Sequence, residues 1–248
     1  MTLTAVKRPI LYQIYHSAWL AVDWLFPPTC GGCGTFGERW CLACQNQTKP
    51  FGESVCSFCG YPTHDGQKCS ACKATPPPFT AMRSWAPYNG PLRKSLHRIK
   101  YSQDLGMAEV FAIPLADIVT QSQWRPDLVT TIPLGRDRQK ERGYNQANWL
   151  ARPLAYRLSL PMSLNALVRV RETRSQVGLS ARERWTNVEG AFQAESKIVK
   201  NHSVLLVDDI ITTGATMQHA SKALLEAGAA SVFCLTVARA VLQDSLEN

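Results

Sequence analysis

The sequence contains no run of about 20 uninterrupted apolar residues, the length that a membrane-spanning helix requires. An apolar stretch at residues 10–26 is interrupted by Gln13, His16 and Asp23. No small-residue cleavage site follows this stretch, so it does not resemble a secretory signal. These absences predict a cytoplasmic protein without a membrane span, in which the cysteines serve a purpose other than disulfide bonding.

Acidic side chains are also few, with 19 Asp and Glu against 27 Lys and Arg, which gives a net charge of +8. This surplus suits an anionic partner, and phosphorylated small molecules and nucleic acid explain it equally well. The hydrophobic fraction of 45% is ordinary for a globular protein and excludes extensive disorder, collagen-like sequence and coiled coil. A length of 248 residues favours one medium-sized domain with a small appendage.

Residues 1–29 are predicted to contain one amphipathic helix that packs against the rest of the protein. The residues that recur at helical spacing are Leu11, Ile14, Tyr15, Ala18, Val22 and Leu25.

Eight of the nine cysteines form four Cys-x-x-Cys pairs between residues 30 and 72. Each two-residue gap lets both sulfurs of a pair bind one ion, and four thiolates complete a tetrahedral structural site. The segment is too poor in aliphatic residues to build an ordinary core, so bound metal is expected to stabilise it. We therefore predict a double zinc ribbon at residues 30–75 with two structural zinc ions. The ligands are Cys30, Cys33, Cys41, Cys44, Cys56, Cys59, Cys69 and Cys72.

An internal repeat indicates how the ligands are shared. Cys-x-x-Cys-Gly at residues 30–34 returns at 56–60, and Cys-x-Ala-Cys at 41–44 returns at 69–72. The duplication favours sequential pairing, with the first four cysteines on one ion and the last four on the other. A cross-braced arrangement, in which the first pair joins the third, remains an alternative. Zinc is favoured over an iron–sulfur cluster because paired knuckles are typical of zinc ribbons.

Strand and helix patterns alternate after the prolines at residues 76–78, which mark a boundary. Apolar strand patterns occupy residues 128–133, 204–207 and 231–237, and helical faces occupy 147–158 and 220–227. Pro153 is expected to kink or break the first of these helices. Cys234 falls in an apolar strand and is predicted to be a core residue. The order of elements predicts an α/β domain at residues 81–248, with a parallel sheet flanked by helices.

Residues 204–216 combine an apolar strand, two carboxylates and a loop of small residues that begins a helix. Such a loop offers backbone N–H groups at a helix N-terminus, which suits a phosphate. Asp208 and Asp209 would repel a bare phosphate, but they make sense as acceptors for neighbouring sugar hydroxyls. A ribose 5-phosphate would supply both a phosphate for the loop and hydroxyls for the two carboxylates. The loop residues are Thr212, Thr213, Gly214, Ala215 and Thr216.

This stretch resembles the phosphoribosyl pyrophosphate (PRPP) signature of type I phosphoribosyltransferases. Together with the Cys-rich N-terminus, the whole chain resembles the ComF/GntX family of competence and DNA-utilisation proteins. Residues 92–101, 133–146 and 169–192 are similar to further family segments, with Tyr144 where the family has Phe in Arg-Gly-Phe-Asn-Gln. The resemblance implies a type I phosphoribosyltransferase-like sheet after the zinc ribbons, with PRPP and Mg²⁺ bound at residues 208–216.

The resemblance also implies roles for two groups of basic and polar residues, although it identifies no catalytic residue. Arg136, Arg138 and Arg142 are candidates for binding pyrophosphate, the alternative being a solvated basic face. A lid that excludes water from the ribosyl centre is expected at residues 171–187, the alternative being an ordinary charged connection. The lid candidates are Arg171, Thr173, Gln176 and Arg184.

The biological role implied by the resemblance is natural competence or the uptake and utilisation of DNA, with single-stranded DNA and the uptake machinery as partners. An alternative is a true phosphoribosyltransferase that transfers ribose 5-phosphate from PRPP to an unidentified nitrogen acceptor, and another is a PRPP-sensing regulator. Trp40 and Phe58 are expected to be exposed aromatic residues that suit contact with a single strand. A basic cluster either contacts nucleic acid or forms a solvated helix face; its members are Arg93, Lys94, Arg98 and Lys100.

Overall fold

A computed structural model describes residues 9–102, 104–173 and 180–241. The helices are α1 (Ile10–Leu25), α2 (Leu42–Gln47), α3 (Ser70–Ala74), α4 (Gly90–Tyr101), α5 (Met107–Gln121), α6 (Arg136–Arg142), α7 (Gln146–Leu158), α8 (Ala181–Val188), α9 (Ser196–Val199) and α10 (Ala215–Glu226). The strands are β1 (Ala81–Pro87), β2 (Leu128–Thr131), β3 (Leu167–Arg169), β4 (Phe192–Ala194), β5 (Ser203–Ile211) and β6 (Ser231–Arg239).

Four strands form a parallel sheet in the order β1–β6–β5–β2, which confirms the predicted α/β architecture. Leu128 of β2 lies opposite Val204 of β5, and Ser203 lies opposite Ser231 of β6. The short strands β3 and β4 pair antiparallel as a separate hairpin. Because the sheet is parallel, the carboxyl ends of its strands meet at one edge, where ligands bind in open α/β sheets.

The two faces of the sheet carry separate cores, built by the alternation of side chains along each strand. Leu205 packs on the side of α5 and α7 with Phe111 and Leu150. Leu206 packs on the side of α10 with Met217 and the β3–β4 hairpin. Consecutive residues of β5 therefore serve opposite layers, and this alternation continues towards the end of the strand.

Helix α7 runs unbroken from Gln146 to Leu158 with Pro153 inside it, so the expected break is wrong. The helix begins at Asn145, whose side chain accepts a hydrogen bond from the N–H of Ala147 at 3.0 Å. Pro153 is buried, as are most of its neighbours on this face of the helix. Tertiary packing of this face outweighs the loss of one backbone hydrogen bond that a proline imposes.

The zinc-ribbon segment packs directly on the sheet domain. The N–H of Met82 in β1 donates to the carbonyl of Phe58 at 2.6 Å, and the N–H of Phe51 donates to the carbonyl of Trp85 at 2.9 Å. Trp40 is buried with its ring centroid 5.7 Å from that of Phe111, so the expectation that it is exposed is wrong. The ribbons and the sheet domain therefore share one core.

Helix α1 packs against the protein as predicted, but through a different face, which shares only Tyr15 with the predicted one. The His16 Nδ1 lies 2.6 Å from an oxygen of the buried Glu109 carboxylate, and Arg39 Nε donates to Asp23 Oδ2 at 2.9 Å. The aliphatic face predicted to pack inward is exposed, as Leu11 and Leu25 show. The prediction is wrong because these polar side chains have charged partners on the protein. Among the described residues, we find no helix with the length and apolarity needed to cross a bilayer.

Candidate functional site

The eight paired cysteines form two compact groups of four. Cys30, Cys33, Cys41 and Cys44 form the first, and Cys56, Cys59, Cys69 and Cys72 form the second. Within each group all the sulfur atoms lie within 4.8 Å of one another. Sequential pairing is thus confirmed, and the cross-braced alternative is not what the fold adopts.

The geometry of both groups fits zinc. A tetrahedral site with Zn–S bonds of about 2.3 Å separates its sulfurs by about 3.8 Å. The Sγ atoms of Cys33 and Cys41 are 3.6 Å apart, and those of Cys59 and Cys69 are 3.8 Å apart.

Backbone donors support the thiolate form of the ligands. The N–H of Cys41 donates to Cys30 Sγ at 3.4 Å, and the N–H of Cys69 donates to Cys56 Sγ at 3.3 Å. A hydrogen bond to Thr35 lowers the pKa of Cys33 to about 6. The two ribbons repeat the same knuckle, as the sequence repeat predicts.

Asp209 lies on the face of β5 that is turned towards α4. Its carboxylate is buried, with Oδ2 2.7 Å from the Nζ of Lys100 and Oδ1 accepting from the N–H of Ile210 at 2.9 Å. Burial by itself would lower the pKa of Lys100, but the charge of Asp209 and its hydrogen bond raise that pKa above the ordinary value. Lys100 is therefore a charged partner beneath the site rather than a member of an exposed basic cluster.

Asp208 is half-buried, and as the neighbouring strand residue it points to the opposite face of the sheet. Its Oδ1 accepts from the N–H of Asp209 at 2.8 Å. Burial, followed by the negative charge of Asp209, raises the pKa of Asp208 well above its ordinary value. A ligand that brings hydroxyl donors or a cation to this carboxylate would stabilise its ionised form.

Arg169 in β3 shares the electrostatic surroundings of Asp208. Burial and the positive charge of Arg138 lower the pKa of Arg169, whereas Glu172 and Asp208 act in the opposite direction. Arg138 and Arg169 are thus two like charges close enough to repel each other. An anion bound between them would relieve that repulsion.

The loop after β5 leads into α10 through Gly214, whose φ of +83° lies in the left-handed region that favours glycine. Thr212 and Thr213 are exposed, and Thr213 Oγ1 accepts from the N–H of Ala215 at 3.4 Å. The first turn of α10 contains no acidic residue, and Gly214 has no side chain that could cap it. This N-terminus has the features of an anion site, as predicted for residues 212–216.

The three arginines proposed to bind pyrophosphate lie on α6 but have different surroundings. Arg138 is the one that influences Arg169. Arg142 donates to Gln146 Oε1 at 3.1 Å, and its guanidinium lies 5.0 Å from the ring centroid of Tyr101. The Arg136 side chain is exposed. The structure therefore brings one of the three, Arg138, into the electrostatic surroundings of Arg169.

The segment expected to act as a lid is tied down at several points. Arg171 donates to the carbonyl of Asn187 at 3.2 Å and also to that of Glu189, and the hydroxyl of Thr173 accepts from Arg169. Arg184 lies half-buried in α8, while Gln176 falls outside the described residues. These contacts join the β3 end of the segment to the end of α8.

Three charged residues of the site were not predicted there from the sequence: Arg169 and Glu172 were given no role, and Lys100 was assigned to the basic cluster of α4. One signal for Lys100 was available, because it follows the buried Leu96 by four residues and so shares the inward face of α4. Glu172 accepts from the N–H of Arg136 at 2.7 Å, a contact between segments 36 residues apart. Such contacts are set by tertiary structure and have no local sequence signature.

The two metal groups predict two zinc equivalents per chain, measured by elemental analysis. We expect Cys41→Ser to lower the content towards one equivalent under competition with a chelator, because the first group loses a thiolate. Cys234→Ser is the matched control: Cys234 is buried beside Ser221, 3.3 Å from its hydroxyl, and should leave both zinc ions in place. A full complement of zinc in Cys41→Ser would contradict the assignment.

The neighbouring carboxylates predict opposite effects of the same substitution on stability. Asp209→Asn leaves the charge of Lys100 uncompensated and should lower the free energy of unfolding by about 3 kcal/mol. Asp208→Asn should raise the melting temperature at pH 7, because the raised pKa means that ionised Asp208 destabilises the folded state.

Ionisation of Asp208 lowers the free energy of unfolding. This loss of stability is absent below the ordinary aspartate pKa of about 4 and grows as the pH rises towards the pKa of Asp208 in the folded protein. Thermal unfolding from pH 4 to pH 8 should therefore show the advantage of Asp208→Asn shrinking on acidification. Equal destabilisation by both substitutions would contradict the difference that we assign to the two sites.

Family comparisons agree with this two-part organisation. Residues 21–73 match a double zinc ribbon domain, and residues 145–245 match a phosphoribosyl transferase domain. Among solved structures, adenine phosphoribosyltransferase from Thermoanaerobacter pseudethanolicus is 17% identical, with a TM-score of 0.34 over 55% of this chain and 82% of that one.

Two curated relatives align over most of the chain. The DNA utilization protein YhgH of Escherichia coli K12 is 34% identical over 203 residues, which cover 79% of this chain and 88% of the relative. Competence protein F of Haemophilus influenzae is 33% identical over 210 residues, which cover 81% and 90% respectively. With its zinc ribbons preceding a phosphoribosyltransferase-type domain, the chain belongs to the ComF/GntX family of competence and DNA-utilisation proteins.

Proposed function

We propose that this protein binds PRPP at the carboxyl edge of its sheet and handles single-stranded DNA on an adjacent surface, in DNA uptake or utilisation. The observation that carries the first half is the position of Asp208 near the end of β5, from which a short loop leads to the N-terminus of α10 at Gly214. The names of the relatives support the second half, since they refer to DNA utilisation and to competence.

The ribose 5-phosphate half of PRPP fits the end of β5 and the start of α10. The N–H groups of the first turn of α10 bind the 5-phosphate, helped by the positive end of the helix dipole. Asp208 accepts hydrogen bonds from the ribose hydroxyls. Asp209 acts from below by holding Lys100, whose positive charge reduces the repulsion between two carboxylates and a polyanion.

The pyrophosphate half of PRPP fits the neighbouring pair of arginines. Burial and the positive charge of Arg138 lower the pKa of Arg169, and a pyrophosphate group would neutralise both side chains. Mg²⁺ would accompany the ligand, since this ion is usually held by one or two carboxylates together with substrate phosphates. Of the two carboxylates at the end of β5, Asp209 is paired with Lys100, which leaves Asp208 for the ion.

The DNA surface lies on the outer face of α4. Arg93, Lys94 and His97 are exposed there, and with the glycines at residues 31–34 of the first zinc knuckle they line a cleft of about 430 Å³. Arg98 supports this surface from beneath, since it donates to the carbonyl of Cys30 at 2.9 Å and pairs with Asp104 at 2.8 Å. The cations that remain available to phosphates are therefore Arg93 and Lys94.

A pair of rings continues the same face towards the PRPP site. The ring centroids of His97 and Tyr101 are 4.5 Å apart with the rings tilted by 41°, and the Arg142 guanidinium lies 5.0 Å from the Tyr101 centroid. Tyr101 is 56% exposed, so a base can stack on this group. Since Lys100 points inward to Asp209, the end of α4 contributes to both surfaces.

We expect Asp208→Asn to weaken PRPP binding at least tenfold, about 1.4 kcal/mol, in titration calorimetry with Mg²⁺ present. Charge-assisted hydrogen bonds to the ribose hydroxyls are lost, whereas simple charge repulsion would predict tighter binding. The control Asp117→Asn removes the same charge from the exposed face of α5 and should bind PRPP as the parent does. Unchanged or tighter binding by Asp208→Asn would contradict ribose recognition.

The same samples distinguish a PRPP-binding protein from a phosphoribosyltransferase. Transfer to a nitrogen acceptor breaks the bond between the anomeric carbon and pyrophosphate, so pyrophosphate accumulates. Incubation with PRPP, Mg²⁺ and candidate bases, followed by a pyrophosphate assay, measures this directly. Accumulation that depends on an added base would favour the transferase alternative.

Single-strand binding should depend on salt through Arg93 and Lys94. Each lost phosphate contact reduces the slope of log K against log salt by about 0.7, so Arg93→Ala with Lys94→Ala should reduce it by about 1.4. Tyr101→Ala should weaken binding by about 1–3 kcal/mol without changing the slope, because stacking is uncharged. Fluorescence anisotropy with a labelled oligonucleotide measures both.

The matched control is Lys197→Ala with Lys200→Ala, two exposed cations that precede β5 at the opposite end of the sheet. This variant has the same net charge as the α4 variant and should keep the parental slope. Equal slopes for the two double variants would assign DNA binding to net charge alone rather than to α4.

A further inference from the structure

Helix α1 exposes a continuous aliphatic face to solvent. Ile14 is 62% exposed and Leu25 is 63% exposed, and Ala18 between them is exposed as well. Seven exposed apolar positions form this face, which covers about one third of the helix circumference at 100° per residue: Ile10, Leu11, Ile14, Ala18, Ala21, Val22 and Leu25. Leu20 and Trp24 are also exposed, at 55% and 83%, and lie beside this face.

The exposure of this aliphatic face does not result from poor packing of α1 on the protein. Another face of the helix contacts the protein: Tyr12 is buried, His16 contacts Glu109, and Asp23 pairs with Arg39. These contacts fix the rotation of α1, so the aliphatic residues are held outward. An exposed apolar stripe of this kind marks an interaction surface.

The order of residues along the stripe is symmetrical about Ala18. Leu11 and Ile14 precede it by seven and four residues, and Val22 and Leu25 follow it by four and seven residues. A two-fold symmetric interface requires a patch that is complementary to itself. An antiparallel pair of these helices would place Leu11 against Leu25, Ile14 against Val22 and Ala18 against Ala18.

We propose that α1 is a dimerisation helix, which pairs antiparallel with α1 of a second copy of this chain about a two-fold axis at Ala18. The small side chain at the axis lets the two helices approach closely, and the larger aliphatic residues on either side fill the contact. This inference is independent of PRPP and DNA binding, since α1 contributes no residue to either surface described above.

The composition of α1 favours a second copy over a lipid surface. Helices that lie on membranes carry Lys and Arg on their polar face, where they attract anionic lipid. Residues 10–25 contain neither Lys nor Arg, and their one acidic residue, Asp23, is already paired with Arg39. The face of α1 that carries His16 and Asp23 also contacts the protein itself.

Sedimentation velocity of the full chain with its zinc tests the proposal, over protein concentrations from about 1 to about 100 µM. We expect the parent to reach twice the chain mass of 27.5 kDa. Ile14→Glu should weaken the dimer at least tenfold, because two carboxylates enter an apolar contact. The control Gln13→Glu adds the same charge to the adjoining face of α1 and should leave the dimer unchanged.

A double variant tests the antiparallel register. Ile14→Glu combined with Val22→Lys should restore the dimer, since the antiparallel pairing places each new Glu against a new Lys of the other copy. Residues 14 and 22 of one helix are two turns apart and do not contact each other. Circular dichroism and zinc content check that each variant is folded.

Three results would overturn the proposal. One is a parent that remains monomeric at all concentrations, and another is an Ile14→Glu variant that dimerises as the parent does. The third is a double variant that stays monomeric although it is folded. A monomeric parent that floats with phosphatidylglycerol vesicles would instead assign the aliphatic face to a lipid surface.

Discussion

The arrangement of the candidate site depends on the ion pair between Lys100 and Asp209. It joins the end of α4 to the central strand β5 across 2.7 Å, between two side chains that are mostly buried. A buried lysine or a buried aspartate alone would cost several kcal/mol, so each residue requires the other. The pair therefore fixes the position of α4 relative to Asp208 and the loop before α10.

The zinc ribbons pack against α4 and the sheet and help to hold these elements in place. Arg98, one turn of α4 from its end, binds the carbonyl of Cys30 in the first ribbon. Arg239 at the end of β6 is buried and donates to the carbonyl of Cys59 in the second ribbon. Each metal module is thus held by an arginine of the sheet domain. The ribbons act as part of the wall around the carboxyl edge of the sheet rather than as a separate appendage.

Patterns that depend on local chemistry could be predicted from the sequence. The Cys-x-x-Cys repeats specified both metal groups and favoured their sequential pairing, and the strand–loop–helix signature placed Gly214 at the start of α10. Hydrophobic periodicity likewise predicted three of the four strands of the parallel sheet, β2, β5 and β6, but not the edge strand β1.

The errors arose where a charged side chain found a partner far away in the sequence. Lys100 was assigned to an exposed cluster because its partner lies 109 positions later in the chain, at Asp209. Helix α1 was predicted to bury its aliphatic face, but His16 and Asp23 bind Glu109 and Arg39 and turn that face outward. Periodicity identifies an apolar face, and it does not identify what covers that face.

The central claim is that PRPP binds where β5 meets α10, and hydrogen–deuterium exchange of the full chain with and without PRPP and Mg²⁺ tests it most directly. The account predicts slower exchange of the amides at residues 212–217, because their N–H groups bind the 5-phosphate. Amides of the zinc knuckle at residues 30–34 should exchange as before. Unchanged exchange at residues 212–217 under saturating PRPP would contradict the account.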